Sequence, residues 1–309
     1  MSNKKNGGVI PPVKDERVRY VPVGCGKCME CRRQKAREWQ VRLGEEIRER
    51  KNGKFVTLTF NDESLNELDS IIDKKLTGYN RDNAILTFAV RRFTERWRKK
   101  NKKTIRHWLV SELGETSTER IHLHGILWTD KPEEIEETWK YGYIHIGDYV
   151  NDKTVNYIIK YVNKADKLHK EYKSKIFASK GIGKGYTERR DFKRHKYKKG
   201  ETIETYRTRS GIELSLPVYY RNKVFSEEER ELLWLEKLNK EERWVDGIRI
   251  DISKNEDEYY KMLNLTRIKN KRLGFGDDRI NWEQKIYERN RRNLKRLERI
   301  EKLTRENPC

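Results

Sequence analysis

No stretch of this chain approaches the roughly 20 consecutive apolar residues that span a bilayer. The opening MSNKKNGGVIPP lacks the apolar region of a secretory signal. Cysteine is scarce, with four residues of which three fall within seven positions. That usage argues against a disulfide scaffold and for a reducing cytoplasm. Hydrophobic residues make up only 34% of the 309, low for a globular enzyme yet enough for one large domain or a catalytic domain with an appendage. Internal repeats are absent. The expectation is a cytoplasmic protein with no membrane partner.

Negative charge is in deficit as well. Fifty acidic residues face 71 basic ones, for a formal net charge of +21. A field of that sign attracts polyanions, and Lys and Arg neutralising phosphates is the usual source of nucleic-acid affinity. Eight Trp, sixteen Tyr and eight Phe add stacking faces for bases, although most aromatics in any chain are core.

Along the chain, residues 1–24 read as a polar arm. A helix is expected over Cys28–Arg50, with Ala36, Trp39, Leu43 and Ile47 on one face. FVTLTF (Phe55–Phe60) is a strand by composition. A helix over Asn83–Lys100 buries Leu86, Val90, Phe93 and Trp97, and a hairpin follows with strands Ile105–Leu113 and Ile121–Trp128. A short helix (Pro132–Lys140), a strand (Tyr143–Ile146) and a helix (Asn151–Ala165) complete the series. The order β-α-β-β-α-β predicts an α+β fold with a ferredoxin-like antiparallel sheet, helices on one face and the other face open. Residues 25–170 then form the catalytic domain with its Cys-rich N-terminal helix, 171–240 a basic accessory region on the core that includes a helix over Glu227–Lys240, and 241–309 a charged helical tail. In that tail Leu294, Leu297 and Ile300 form an apolar stripe.

Two constellations carry chemistry. In Ile121-His122-Leu123-His124-Gly125 the imidazoles alternate with aliphatics, so on a strand both point to one face, about 7 Å apart. Two imidazoles on one face suit a shared cation, and a hard divalent ion also wants oxygen. Glu112, near the end of the preceding strand, supplies it across the ladder; Glu115, in the loop, is its rival. His107 and His145 stand alone and read as ordinary strand residues. In the helix NYIIKYVNK, Tyr157, Lys160, Tyr161 and Lys164 share about a quarter of the circumference, while Val155, Ile158, Ile159 and Val162 take the opposite side. Core tyrosines would lie among the aliphatics; these lie with lysines. A phenol with pKa near 10 is a poor nucleophile, and adjacent ammonium groups with a metal-polarised phosphate would activate it.

His122-Leu123-His124 resembles the His-hydrophobic-His motif of the HUH endonucleases, and Tyr157-Ile158-Ile159-Lys160-Tyr161 resembles the two-tyrosine motif of their rolling-circle initiators. FVTLTF is similar to the first motif of that superfamily, and the motif order agrees. More narrowly, CGKCMECRRQKAREWQVRL, ERIHLHGILW, YGYIHIGDYV, NYIIKYVNK and LPVYYRNK look like the replication initiators of small single-stranded DNA phages, the gokushovirus branch of the Microviridae. The likeness covers about residues 20–235. It implies a Mg²⁺- or Mn²⁺-dependent nick in single-stranded DNA at a phage origin, inside a bacterial host, with His122, His124 and Glu112 as metal ligands. It also implies that Tyr157 or Tyr161 attacks the phosphate, joins the 5′ end and leaves a 3′-OH for host replication proteins. The second tyrosine would then cut the regenerated origin so that a closed circle is released. No small-molecule cofactor is implied.

Cys25, Cys28 and Cys31 form a CxxCxxC run that reads either as three ligands of a structural Zn²⁺ or as a cysteine-rich helix start. Zinc would need a fourth ligand, from Cys309 or a histidine; an iron–sulfur cluster is a further alternative. Two other functions compete with the initiator reading. One is a non-catalytic nucleic-acid-binding protein with a Cys-rich metal knuckle. The other is an HUH transposase or relaxase.

Overall fold

The structure, a computed structural model, describes residues 14–18, 24, 26, 28–114, 119–163 and 172–273. A long helix, α1 (Met29–Glu49), leads into β1 (Gly53–Leu58). Two helices, α2 (Asp62–Ile71) and α3 (Gly78–Asn101), cross to β2 (Arg106–Leu113), which returns as β3 (Ile121–Trp128). A short α4 (Glu134–Trp139), β4 (Ile144–Ile146), α5 (Asp152–Asn163) and β5 (Ile176–Ala178) follow. The strands form one sheet in the order β4-β1-β3-β2-β5, antiparallel at every junction. β4-β1-β3-β2 is the ferredoxin-like arrangement that the element order predicts, and β5 adds an edge beside β2. The α+β fold class is thus as expected.

Alternation along the central strands sorts their side chains between two cores. Val56, Leu58, Leu109, Leu113, Ile121, Leu123 and Leu127 face α3, whose Leu86, Val90, Phe93 and Trp97 are buried against them. Trp108, Val110, Ile126 and Trp128 face the other way, and there the expected open face does not exist. Ala36, Leu43 and Ile47 of α1 and Val155, Ile158, Ile159 and Val162 of α5 cover it. Both helices bring an apolar stripe, and each buried aliphatic contributes about 1.5–3 kcal/mol once it leaves water, so neither stripe stays in solvent. What remains uncovered is the end of the β2–β3 hairpin beneath the polar side of α5.

Behind α1 the chain continues through α6 (Arg190–Lys193), β6 (Thr205–Arg207), β7 (Glu213–Ser215), α7 (Val218–Val224) and α8 (Glu227–Asn239). These pack through Val41, Tyr186, Leu216, Tyr220, Phe225 and Leu233. Two consecutive glutamates of α1 hold them. Glu45 takes both its oxygens to Arg189 at 2.9 and 2.7 Å. Glu46, fully buried, pairs with Arg106 of β2 and accepts the Gly183 N–H at 2.7 Å. Gly183 has φ +74°, and a Cβ there would lie 2.6 Å from the Arg42 carbonyl, so only glycine fits this junction.

The region expected as a charged helical tail begins differently. Residues 242–251 are a hairpin of β8 (Glu242–Val245) and β9 (Ile248–Asp251), and α9 (Asp257–Arg272) comes after it. Asp246 and Gly247, at φ 50° and 82°, supply the two left-handed positions of a tight hairpin turn. Leu294, Leu297 and Ile300 lie outside the described residues. Among the described residues no helix is long and apolar enough to cross a membrane.

Candidate functional site

Register fixes the first half of the site. Glu112 on β2 is paired directly with His122 on β3, and Val110 with His124, so Glu112 and both imidazoles share the face beneath α5. Glu112 Oε2 lies 3.2 Å from His122 Nε2 and 3.0 Å from His124 Nε2. The three ligand atoms fall within 4.8 Å of one another, and among the described residues no other group of three or more such side chains converges in this way. The set is half-buried to buried, open enough for a substrate to reach it.

The far nitrogens say more about what the trio holds. His122 Nδ1 is 3.2 Å from the Arg120 carbonyl, an oxygen that only accepts, so Nδ1 carries the hydrogen. In the neutral ring the Nε2 lone pair then points at a carboxylate oxygen. Two acceptors aimed at each other call for a cation between them. His124 Nδ1 is held at 3.0 Å by Thr57 Oγ1, its neighbour on β1. Both rings are therefore oriented from behind, as metal-ligating imidazoles are. Two nitrogens and a carboxylate fit Mg²⁺ or Mn²⁺ with positions left for phosphate oxygens.

α5 carries the second half. Asn151 caps it: its Oδ1 accepts the Thr154 N–H at 3.0 Å, and its own N–H donates to Thr154 Oγ1 at 3.3 Å. With Val155, Ile158, Ile159 and Val162 buried at 8% exposure or less, the helix can roll neither way, and its tyrosines are aimed at the hairpin. Tyr161 stacks on His124, centroids 4.4 Å apart and planes 11° from parallel. Its hydroxyl donates to the Tyr157 hydroxyl at 2.6 Å. Tyr157 is 46% exposed and lies edge-on to Phe55 at 5.9 Å. Lys160 Nζ sits 6.0 Å over the Tyr157 ring.

The two constellations, 33 or more residues apart in the chain, thus meet in one place. Lys164, Cys25 and the rival ligand Glu115 lie outside the described residues. Cys28 is the residue before α1 and Cys31 lies in its first turn, both half-buried. The chain passes close over them, since a Cβ on Gly24 would stand 3.0 Å from Cys31 Sγ. His107 bonds the Ile105 carbonyl and Ser179, while His145 lies exposed at 6.3 Å from Phe55; neither joins the trio. Thr57 and Phe55 join the site without standing out in the sequence. The alternation of FVTLTF, which puts positions 55 and 57 on one side, is the signal that points to them.

Residues 53–166 match a family model, that of the replication-associated proteins described as ORF2 or gene 2 protein. That stretch runs from β1 past the end of α5 and includes every residue of the site. No curated protein and no solved structure matches the chain. The matched family supports a role in the initiation of replication.

Proposed function

We propose that the protein is the rolling-circle replication initiator of a small single-stranded DNA phage, an HUH-type endonuclease and strand transferase of the gokushovirus kind. The observation that carries this reading is the stacking of Tyr161 on His124, which brings a nucleophile pair onto a cation-ready trio. Glu112, His122 and His124 would hold Mg²⁺ or Mn²⁺. The ion would supply Lewis-acid polarisation of the scissile phosphate, with no need for a metal-bound nucleophile because a phenol is at hand.

A tyrosine oxygen attacks phosphorus, the bond from phosphorus to the 3′-oxygen breaks, and the phenolic proton ends, net, on that oxygen. The products are a 5′-phosphotyrosine and a free 3′-OH for a host polymerase. Tyr161, against His124, is the better placed for the first attack; Tyr157, one turn earlier and exposed, serves the second. The hydrogen bond between them gives the departing proton an acceptor. Lys160 and Lys164 would offset charge on the phosphoryl group. A structural Zn²⁺ on Cys25, Cys28 and Cys31 would pin the start of α1. The test is a covalent protein–DNA species after incubation with labelled single-stranded origin DNA and Mn²⁺. A non-catalytic binding protein would give none.

A further inference from the structure

A second feature lies at the edge of the sheet formed by β5. A broad, open cleft of about 1200 Å³ runs there between α1 on one side and α2–α3 on the other. Small-ligand pockets are usually about 300–1,000 Å³ and enclosed, so this shape suits a segment of polymer. Its charged lining is Lys35 and Arg42 from α1, Arg91 from α3, and Lys173, Lys175 and Lys180 around β5, with no carboxylate among the lining residues. A chain with 50 acidic and 71 basic residues would place acids in an unsorted lining. Trp39 and Phe88 line the same cleft.

Two of these cations are held in place by neutral groups. Arg42 is clamped between the rings of Trp39 and Tyr219, 4.2 Å from each, and donates Nε to the Ile182 carbonyl at 3.1 Å. Lys175 Nζ donates to Thr87 Oγ1 at 2.6 Å. Arg91, by contrast, has a carboxylate, Glu95, at 2.9 Å. Lys35 is exposed by area, yet the protein around it, and secondarily Arg32, hold its ammonium below the ordinary pKa. A cation on a concave wall satisfies both observations. Burial likewise lowers Arg42, against the opposing pull of nearby tyrosines and glutamates. Such charges are stabilised when an anion arrives.

The cleft is also tied to the site. Ser174 Oγ donates to the Tyr161 carbonyl at 3.1 Å. The Ser111 N–H donates to the Lys175 carbonyl at 2.9 Å, and the Lys175 N–H donates to Ser111 Oγ at 2.7 Å. The lysine-bearing segment therefore hangs from the last turn of α5 and from the residue next to Glu112.

We propose that this cleft is the track for single-stranded DNA flanking the scissile phosphate, with phosphates along the lysine row and bases against Trp39 and Phe88. The proposal rests on the nicking reading for its direction toward the tyrosines, not for its chemistry. Sequence-tolerant single-strand binding combines such a basic groove with aromatic faces. An acidic peptide would use the cations but leave the aromatic faces without stacked partners.

The test is equilibrium binding of a fluorescent 20-nucleotide single strand to the full chain in chelator, so that no cleavage occurs, across a salt series. Lys35→Ala/Lys180→Ala is compared with the charge-matched control Lys198→Ala/Lys199→Ala, distant in sequence and exposed. Loss of two phosphate contacts should reduce the slope of log K against log[salt] by about 1.4, which is about 25-fold in affinity at 0.1 M salt relative to 1 M. The control should match wild type, and Trp39→Leu should weaken binding without changing the slope. Equal slopes and affinities in wild type, control and cleft variant overturn the proposal, even if wild-type protein nicks DNA. Failure of wild type to nick, with the cleft slope reduced, would overturn the nuclease reading and keep the track.

Discussion

Replacing Glu112 by Gln removes one negative charge and almost no volume from the trio. Without metal the change is mild, because the new amide can donate to the imidazole nitrogens 3.2 and 3.0 Å away. The folded protein should keep its stability to within about 1 kcal/mol. With metal the two proteins separate. An ion that binds only the folded state adds about 2.7 kcal/mol at 100 times its dissociation constant. If the lost carboxylate weakens binding about 100-fold, as disturbing a metal's surroundings commonly does, the variant gains only about 0.4 kcal/mol at the same concentration. At about 2–4 °C per kcal/mol for a domain of this size, wild type should melt roughly 5–10 °C higher with Mn²⁺ and Glu112→Gln about 1 °C higher. Thermal melts with Mn²⁺ and with chelator read this directly, and nicking should fall in parallel. Equal Mn²⁺-induced shifts in the two proteins would refute the role of the carboxylate.

Gly125→Ala should destabilise the sheet beside His124 by at least about 1–3 kcal/mol, because a Cβ there would stand 2.1 Å from the Trp108 carbonyl oxygen and 2.8 Å from Leu109 Cα; a melting temperature equal to wild type would contradict that close approach. His195, 3% exposed, accepts from the Tyr186 hydroxyl and donates to the Ile203 carbonyl, and burial chiefly, aided by Arg194 and opposed by that carbonyl bond and Asp191, holds it below its ordinary pKa. Its stabilisation should be complete above the unfolded value near pH 6.5 and decline as pH falls from there through the lower folded value, by at most about 1.4 kcal/mol per pH unit. His195→Gln should flatten that decline in urea titrations, and an unchanged pH slope would count against it. Purified protein should carry about one Zn per chain, lost in a Cys25/Cys28/Cys31→Ser variant; elemental analysis showing no bound metal in wild type would dismiss the zinc reading.

The parts of the fold legible in the sequence are those where a single face decides burial. Ile121–Trp128 alternates cleanly, and the buried stripe of α3 repeats every three to four residues, so both elements stand where the pattern puts them. α2 is not legible in this way, because its apolar Leu65, Leu68 and Ile71 are diluted by Asp, Glu and Ser, and its N-terminus rests on Asn61 accepting the Ser64 N–H at 2.8 Å. The 242–251 hairpin hides behind its surrounding charge, which suggests helix, even though its Asp-Gly turn is in plain view. The apolar stripes of α1 and α5 both follow from helical spacing. Their shared destination, the second face of the sheet, is a tertiary fact that no local period encodes. The site divides the same way: imidazole and phenol faces follow from periodicity, whereas the stacking of Tyr161 on His124 depends on how α5 lies across β3.

The central claim is that Tyr157 and Tyr161 are nucleophiles. Its most direct measurement is mass spectrometry of the peptide bearing DNA after reaction of the full chain with a single-stranded origin and Mn²⁺. The expected result is a nucleotide adduct on Tyr161, with some on Tyr157. Tyr161→Phe should lose more initial cleavage than Tyr157→Phe, and either single variant should fail to release circles. The double Phe variant, folded and still binding DNA, should form no adduct. An adduct on any other residue, or one that persists in the double variant, would contradict the account.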